Sequence, residues 1–161
     1  MTFSVFPDVV DALVALFTTA LVNQEIQVTD GPGVTDDVVD FLAVGVEDPW
    51  QDRQDSGDSD RTWATYGASA MQGSNVEERG NVTCLLYRSN GDSDQKRARD
   101  DVYAALEACW VALRADTSLG VSEVAWTNIT TSRPMQAQTD YGAECAVVFN
   151  VNFYAYLPGA S

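Results

Sequence analysis

Histidine is missing from all 161 residues. Its absence removes the commonest general base, most zinc sites and every Ser–His or Cys–His nucleophile pair. Cysteine is scarce. Cys84, Cys109 and Cys145 lie far apart and form no CxxC, and an odd count completes no disulfide set. A structural zinc site therefore has no ligand pattern to build on. All three fall on apolar faces, where free Cys behaves as a small hydrophobe, and this suits a reducing compartment. Bases are few: nine Lys and Arg stand against 24 Asp and Glu, a net charge of −15, and the first base is Arg53. A field of that sign repels nucleic-acid phosphates, so stable DNA or RNA binding is set aside. There is no GxxxxGK[ST] and no GxGxxG to cradle a phosphate. Gly31-Pro32-Gly33 is a turn signal, and its proline has no N–H to offer a phosphate. The longest apolar stretch, VVDALVALFTTALV at 9–22, contains Asp11, lacks a positive flank and is too short to span a bilayer. No membrane partner is expected. Asn81-Val-Thr83 and Asn128-Ile-Thr130 match the glycosylation pattern and, with no secretory leader expected, read as chance.

What is present fits one domain, 1–161, with an ordinary apolar fraction and a real core. The charge is uneven. Residues 1–52 hold ten acids and no base, a balance of −10; the remaining 14 acids and nine bases give −5. Such polarity suits contacts between unlike patches of successive copies. The plainer reading is a solvated acidic surface.

Phe6-Pro7-Asp8 opens a helix with Asp8 as its cap, and Val10, Leu13, Val14, Phe17 and Leu21 recur at helical spacing until about Asn23. Ile26 and Val28 suggest a short strand, residues 29–33 a turn, and VVDFLAVGV at 38–46 a buried strand. EDPWQDRQDSGDSDRT at 47–62 reads as a long acidic loop, the start of a loop or insertion at 47–72; WATYGAS at 63–69 either extends it or forms a strand. Residues 73–75 are a turn. Val76, Glu78, Gly80, Val82, Cys84 and Leu86 then share one strand face. Asp92 or Ser93 caps a helix whose stripe is Val102, Ala105, Leu106, Cys109 and Leu113 and whose end is Asp-Thr-Ser-Leu-Gly. Two strands follow, joined by SRPMQAQTDYGAE at 132–144 as a long hairpin tip. In the second, Cys145, Val147, Phe149, Val151 and Phe153 form a period-2 apolar face opposed by Asn150, Asn152, Tyr154 and Tyr156. The order α-β-β-(β)-β-α-β-β predicts an α+β fold, a mostly antiparallel sheet of about four to five strands with two main helices packed on one face.

Chemistry is thin. Asp52, Asp55, Asp58 and Asp60 cluster, and Asn90-x-Asp92-x-Asp94 begins like an EF-hand loop. The latter has Gln95 where glycine is required and Asp101 where the bidentate Glu belongs, so solvated loop and helix cap are the favoured readings. With 24 acids, a carboxylate pair for glycoside hydrolysis is cheap and uninformative. No catalytic residue, metal or cofactor is expected. The densest positive patch, Lys96, Arg97 and Arg99, opens the second helix, where the dipole disfavours it. Asp100 and Asp101 offer local i,i+4 pairs in the less favourable order. The alternative is a subunit or partner contact with acids such as Asp52, Asp55 and Asp58, which the planar Arg fork suits. Tyr154 and Tyr156 serve an interface on the uncovered sheet face, or pack under a loop carrying Trp50 and Trp63.

The second helix RARDDVYAALEACWVALRADTSLG, then VSEVAWTNI, the Gln-bearing MQAQTDYGAE and the strand CAVVFNVNFYAY, following an amphipathic N-terminal helix and strands, form an order that resembles tail terminator proteins of long-tailed phages. It is also similar to related small head–tail joining proteins, especially of actinobacterial phages. The resemblance spans roughly 1–157, is most specific at the ADTSLG helix end and the closing strands, and finds no counterpart for 47–72. It implies a non-enzymatic virion protein of the tail or neck, assembled in the host cytoplasm. It implies a homohexameric ring that ends tail-tube polymerisation, with the tail tube protein and a head-completion or neck protein as partners. DNA would pass an acidic lumen without sticking. Within the same setting a head-completion or connector adaptor is the alternative; from another class, a small ligand-binding or hydrolytic α+β domain.

Overall fold

The computed structural model describes residues 3–33, 40–46, 57–63, 76–140 and 142–158, and for 57–63 only the strand and its pairing. Helix α1 spans Phe6–Ala20 and is followed by a 3-10 turn, Val22–Gln24. Strands β1 (Gln27–Asp30), β2 (Phe41–Val44), β3 (Gly57–Trp63) and β4 (Val76–Ser89) precede α2 (Gln95–Ala115). Strands β5 (Val124–Thr139) and β6 (Gly142–Leu157) close the chain. The fold is α+β, and the element order agrees with the sequence reading.

The sheet has six strands in the order β1-β2-β4-β6-β5, with β3 also on β4. Every described pairing is antiparallel except β1 with β2, which is parallel. The expected four to five strands fall short because β3 occupies the second half of the expected 47–62 loop. Its ladder runs from Gly57 opposite Val82 to Trp63 opposite Val76. An edge strand needs a ladder of backbone hydrogen bonds more than an apolar face, so the acidic run GDSDRTW pairs without apolar periodicity. Residues 47–56, 64–75 and the expected turn at 73–75 lie outside the described residues.

The expected tip at 132–144 is corrected for the same reason. The β5–β6 ladder continues to Thr139 opposite Gly142, so the turn itself is short. Pro134 sits within β5, which a strand at the sheet edge tolerates because no neighbour needs its missing N–H.

Both helices cover one sheet face. Val9, Leu13 and Phe17 of α1, the expected α2 stripe with Ala98, and Val82, Cys84, Leu86, Cys145, Val147, Phe149, Val151 and Phe153 form one buried cluster. Phe17 meets Phe149 edge-on at 6.2 Å between ring centres. The cap assignments shift by a few residues. Val5, not Asp8, is the N-cap of α1, with Pro7 at its start and Asp8 in the first turn, where a carboxylate still complements the dipole. Asp94, not Asp92 or Ser93, caps α2, its Oδ1 accepting from Arg97 N–H at 3.1 Å. Among the described residues, no helix is long and apolar enough to cross a membrane.

Candidate functional site

The basic cluster stands on the first turn of α2, held by the hairpin beside it. Gln95 Nε2 donates to the Ala137 carbonyl at 2.7 Å, and Arg99 Nη1 to Gln136 Oε1 at 3.3 Å. Lys96 pairs with Asp100, which holds the Asp100 carboxyl below its ordinary range. Arg97 reaches Asp92 at 3.7 Å and Asp101 at 3.9 Å. The local i,i+4 pairs are therefore formed, and they are exposed, which leaves them worth little to stability. Asp52, Asp55 and Trp50 lie outside the described residues. Asp58 and Trp63 fall in β3, opposite Asn81 and Val76 of β4, and their side chains are outside the description.

The acidic turn at 90–94 spends its oxygens on its own backbone. Asn90 Oδ1 accepts from Asp92 N–H at 3.2 Å and Asp92 Oδ1 from Asp94 N–H at 2.8 Å. These are helix-entry contacts, and among the described residues no cluster of three potential metal ligands forms.

On the sheet face turned away from the helices, Tyr154 stacks on Trp126 with ring centres 6.2 Å apart, and the Arg79 guanidinium lies 5.5 Å over the Tyr154 ring. A hydrogen bond to the Glu77 carboxylate pushes the Tyr154 hydroxyl up from its ordinary range. Arg79, Asn81, Trp126, Asn152 and Tyr154 line an open cleft of about 410 Å³. Asn150 Nδ2 donates to Thr131 Oγ1 at 2.8 Å, so a polar ladder continues from the aromatic stack. Tyr156 remains 42% exposed. Tyr154 is thus brought together with Trp126 and Arg79, neither of which sequence reasoning had singled out. The shared signal was strand parity, since Trp126 is directly opposite Tyr154.

Another functional feature was hidden in the apolar alternation of β4. Glu78 is fully buried, and its carboxylate accepts from Val5 N–H at 2.9 Å and from the Ser4 hydroxyl. It ties the N-terminus of α1 to the centre of the sheet. The cysteines are inert by position: burial pushes the Cys109 thiol up to about 12 and raises Cys84 and Cys145 as well.

A last surface lies between α2 and the outer edge of β5. Tyr103, Leu106, Glu107, Trp110, Ile129 and Ser132 line a groove of about 340 Å³. The Arg114 guanidinium stands 5.0 Å over the Trp110 ring at one end. Tyr103, Trp110 and Val111 are exposed.

No protein-family model matches the chain, and no curated protein matches it. A chain from a solved structure described as a virion of a native gene transfer agent particle is similar at 9% identity, covering 98% of this chain and 100% of that one, with a TM-score of 0.44. At that level the likeness bears on neither activity nor assembly.

Proposed function

We propose that this protein is a structural virion component that works as a homo-oligomeric ring, capping the phage tail tube and presenting the surface that joins tail to head. The observation that supports this reading is the polarity of the sheet. Beside β1, Glu25 and Asp30 are exposed, and residues 1–52 carry a balance of −10. At the β5 end, residues 94–139 carry six acids and five bases, a balance of −1. Two acidic ends repel, so a two-fold contact through that end is disfavoured. A contact of one end with the other is heterologous, and it closes into a ring when the rotation between copies divides a full turn. The resemblance of the sequence to tail terminators suggests a hexamer. The tail tube protein and a head-completion or neck protein are the proposed partners, and the acidic surface would let DNA pass without holding it. A head-completion adaptor role uses the same architecture.

Light scattering across protein and salt concentration tests the reading. The expected result is a mass of about six chains that falls as salt screens the contact. The open cleft at Arg79, Trp126 and Tyr154 favours a second reading, a ligand-binding domain. A strict monomer whose melting temperature rises with a small molecule would establish that reading instead.

A further inference from the structure

We infer that the groove between α2 and β5 is a socket for the corner Val22 to Glu25 of a second copy of this chain, with Glu25 as the one acid of that corner. The inference rests on the ring reading and names the two surfaces that meet. The socket is asymmetric. Tyr103 and Trp110 stand seven residues apart on one row of α2 and flank an apolar floor of Leu106 and Ile129. Glu107, between them, bars a carboxylate from the middle. Arg114 sits at the rim, where its described contact is the Trp110 ring and no ion pair joins it to a described carboxylate. The occupant must therefore place an apolar side chain in the centre and an acid at the rim.

The other end of the molecule supplies that pattern. Val22, in the 3-10 turn after α1, is 70% exposed and offers the apolar side chain. Glu25, three residues on, is exposed and has a left-handed backbone with φ of 55°, which turns the chain at this corner. The corner leads directly into β1, the strand at the far end of the sheet from β5. Knob and socket thus occupy opposite ends of one subunit, which is the geometry of a head-to-tail contact and not of a two-fold dimer. The neighbouring edge gives a further reason for cover. Strand β5 is 16 residues long, and among the described residues no strand pairs with its outer edge. An open edge of that length leaves backbone groups that a partner can cover, while Pro134 and two bulges in β5 already blunt uncontrolled strand pairing.

A charge swap between copies tests the assignment. The full chain, Arg114→Glu, Glu25→Arg and the double variant are compared by sedimentation over a concentration series at low salt. Both positions are exposed, so circular dichroism should report the same fold in all four. Each single variant should associate about tenfold more weakly than the parent, and the double variant should recover, because every contact then regains an opposite pair. Single variants that assemble like the parent overturn this surface and leave the ring reading standing. Single variants that weaken without rescue in the double overturn the pairing of Glu25 with Arg114. A parent that stays monomeric at its highest soluble concentration overturns the ring reading and this one with it.

Discussion

Glu78 is an acid at a position where the alternation of β4 calls for a hydrocarbon. Burying a carboxylate is costly unless donors surround it, and here the Val5 N–H and the Ser4 hydroxyl converge on it. The same contact answers a need of α1, whose Val5 cap has no side-chain acceptor of its own. A single side chain therefore sets where the first helix enters the core. Glu78→Gln keeps the shape but removes the charge that strengthens both bonds and leaves one acceptor oxygen for two groups that now donate to it. It should lower the unfolding free energy by about 1–3 kcal/mol, read from urea denaturation with an unchanged m-value. Glu78→Ala should cost more, since it adds a void. A Gln variant as stable as the parent would show that the acceptor pair contributes nothing.

Among the elements, those with a buried face were legible and those without one were not. The stripe of α2 and the alternation of β6 repeat at 3.6 and 2 residues because one side of each meets the core. The outer half of β5 has no such side, and the sequence of β3 has no apolar alternation; pairing with β6 and β4 sets their places. That pairing is indifferent to whether Gln136 or Ser59 carries an apolar group. The groove between α2 and β5 was not legible in the sequence. Lys96, Arg97 and Arg99 stand out in an acidic chain, whereas Arg114 over Trp110 needs the helix and the neighbouring strand together before it becomes a groove. The β5–β6 turn also depends on a contact between elements. Gly142 has φ of 113°, and a Cβ there would lie 2.7 Å from the Asp92 carbonyl oxygen and from the backbone of Gly91. The turn is bound to the entry of α2 by Ala143 N–H donating to the Asp92 carbonyl at 2.5 Å. Gly142→Ala should destabilise by about 1–3 kcal/mol from the dihedral alone, with a melting temperature lower by roughly 2–4 °C per kcal/mol. An unchanged melting temperature would mean that residue 142 relaxes out of its positive φ and that the 90–92 turn moves aside with it.

For the whole molecule, one charge distribution acts on folding and on assembly with opposite signs. The chain carries −15, of which residues 1–52 account for −10, and its own repulsion opposes compactness. Raising salt from about 0.1 M to about 1 M shortens the screening length from roughly 10 Å to roughly 3 Å, which relieves that repulsion. A dilute sample should therefore melt at a higher temperature as salt rises. In a concentrated sample the proposed assembly would add stability by mass action, through the proposed contact of Glu25 with Arg114. Salt weakens that contact, so the gain in melting temperature from concentrating the protein should be largest at low salt and shrink as salt increases. Thermal scans at two protein concentrations over a salt series check both signs at once. A melting temperature that is independent of concentration at low salt would remove the electrostatic contribution to assembly, whatever the mass of the particle.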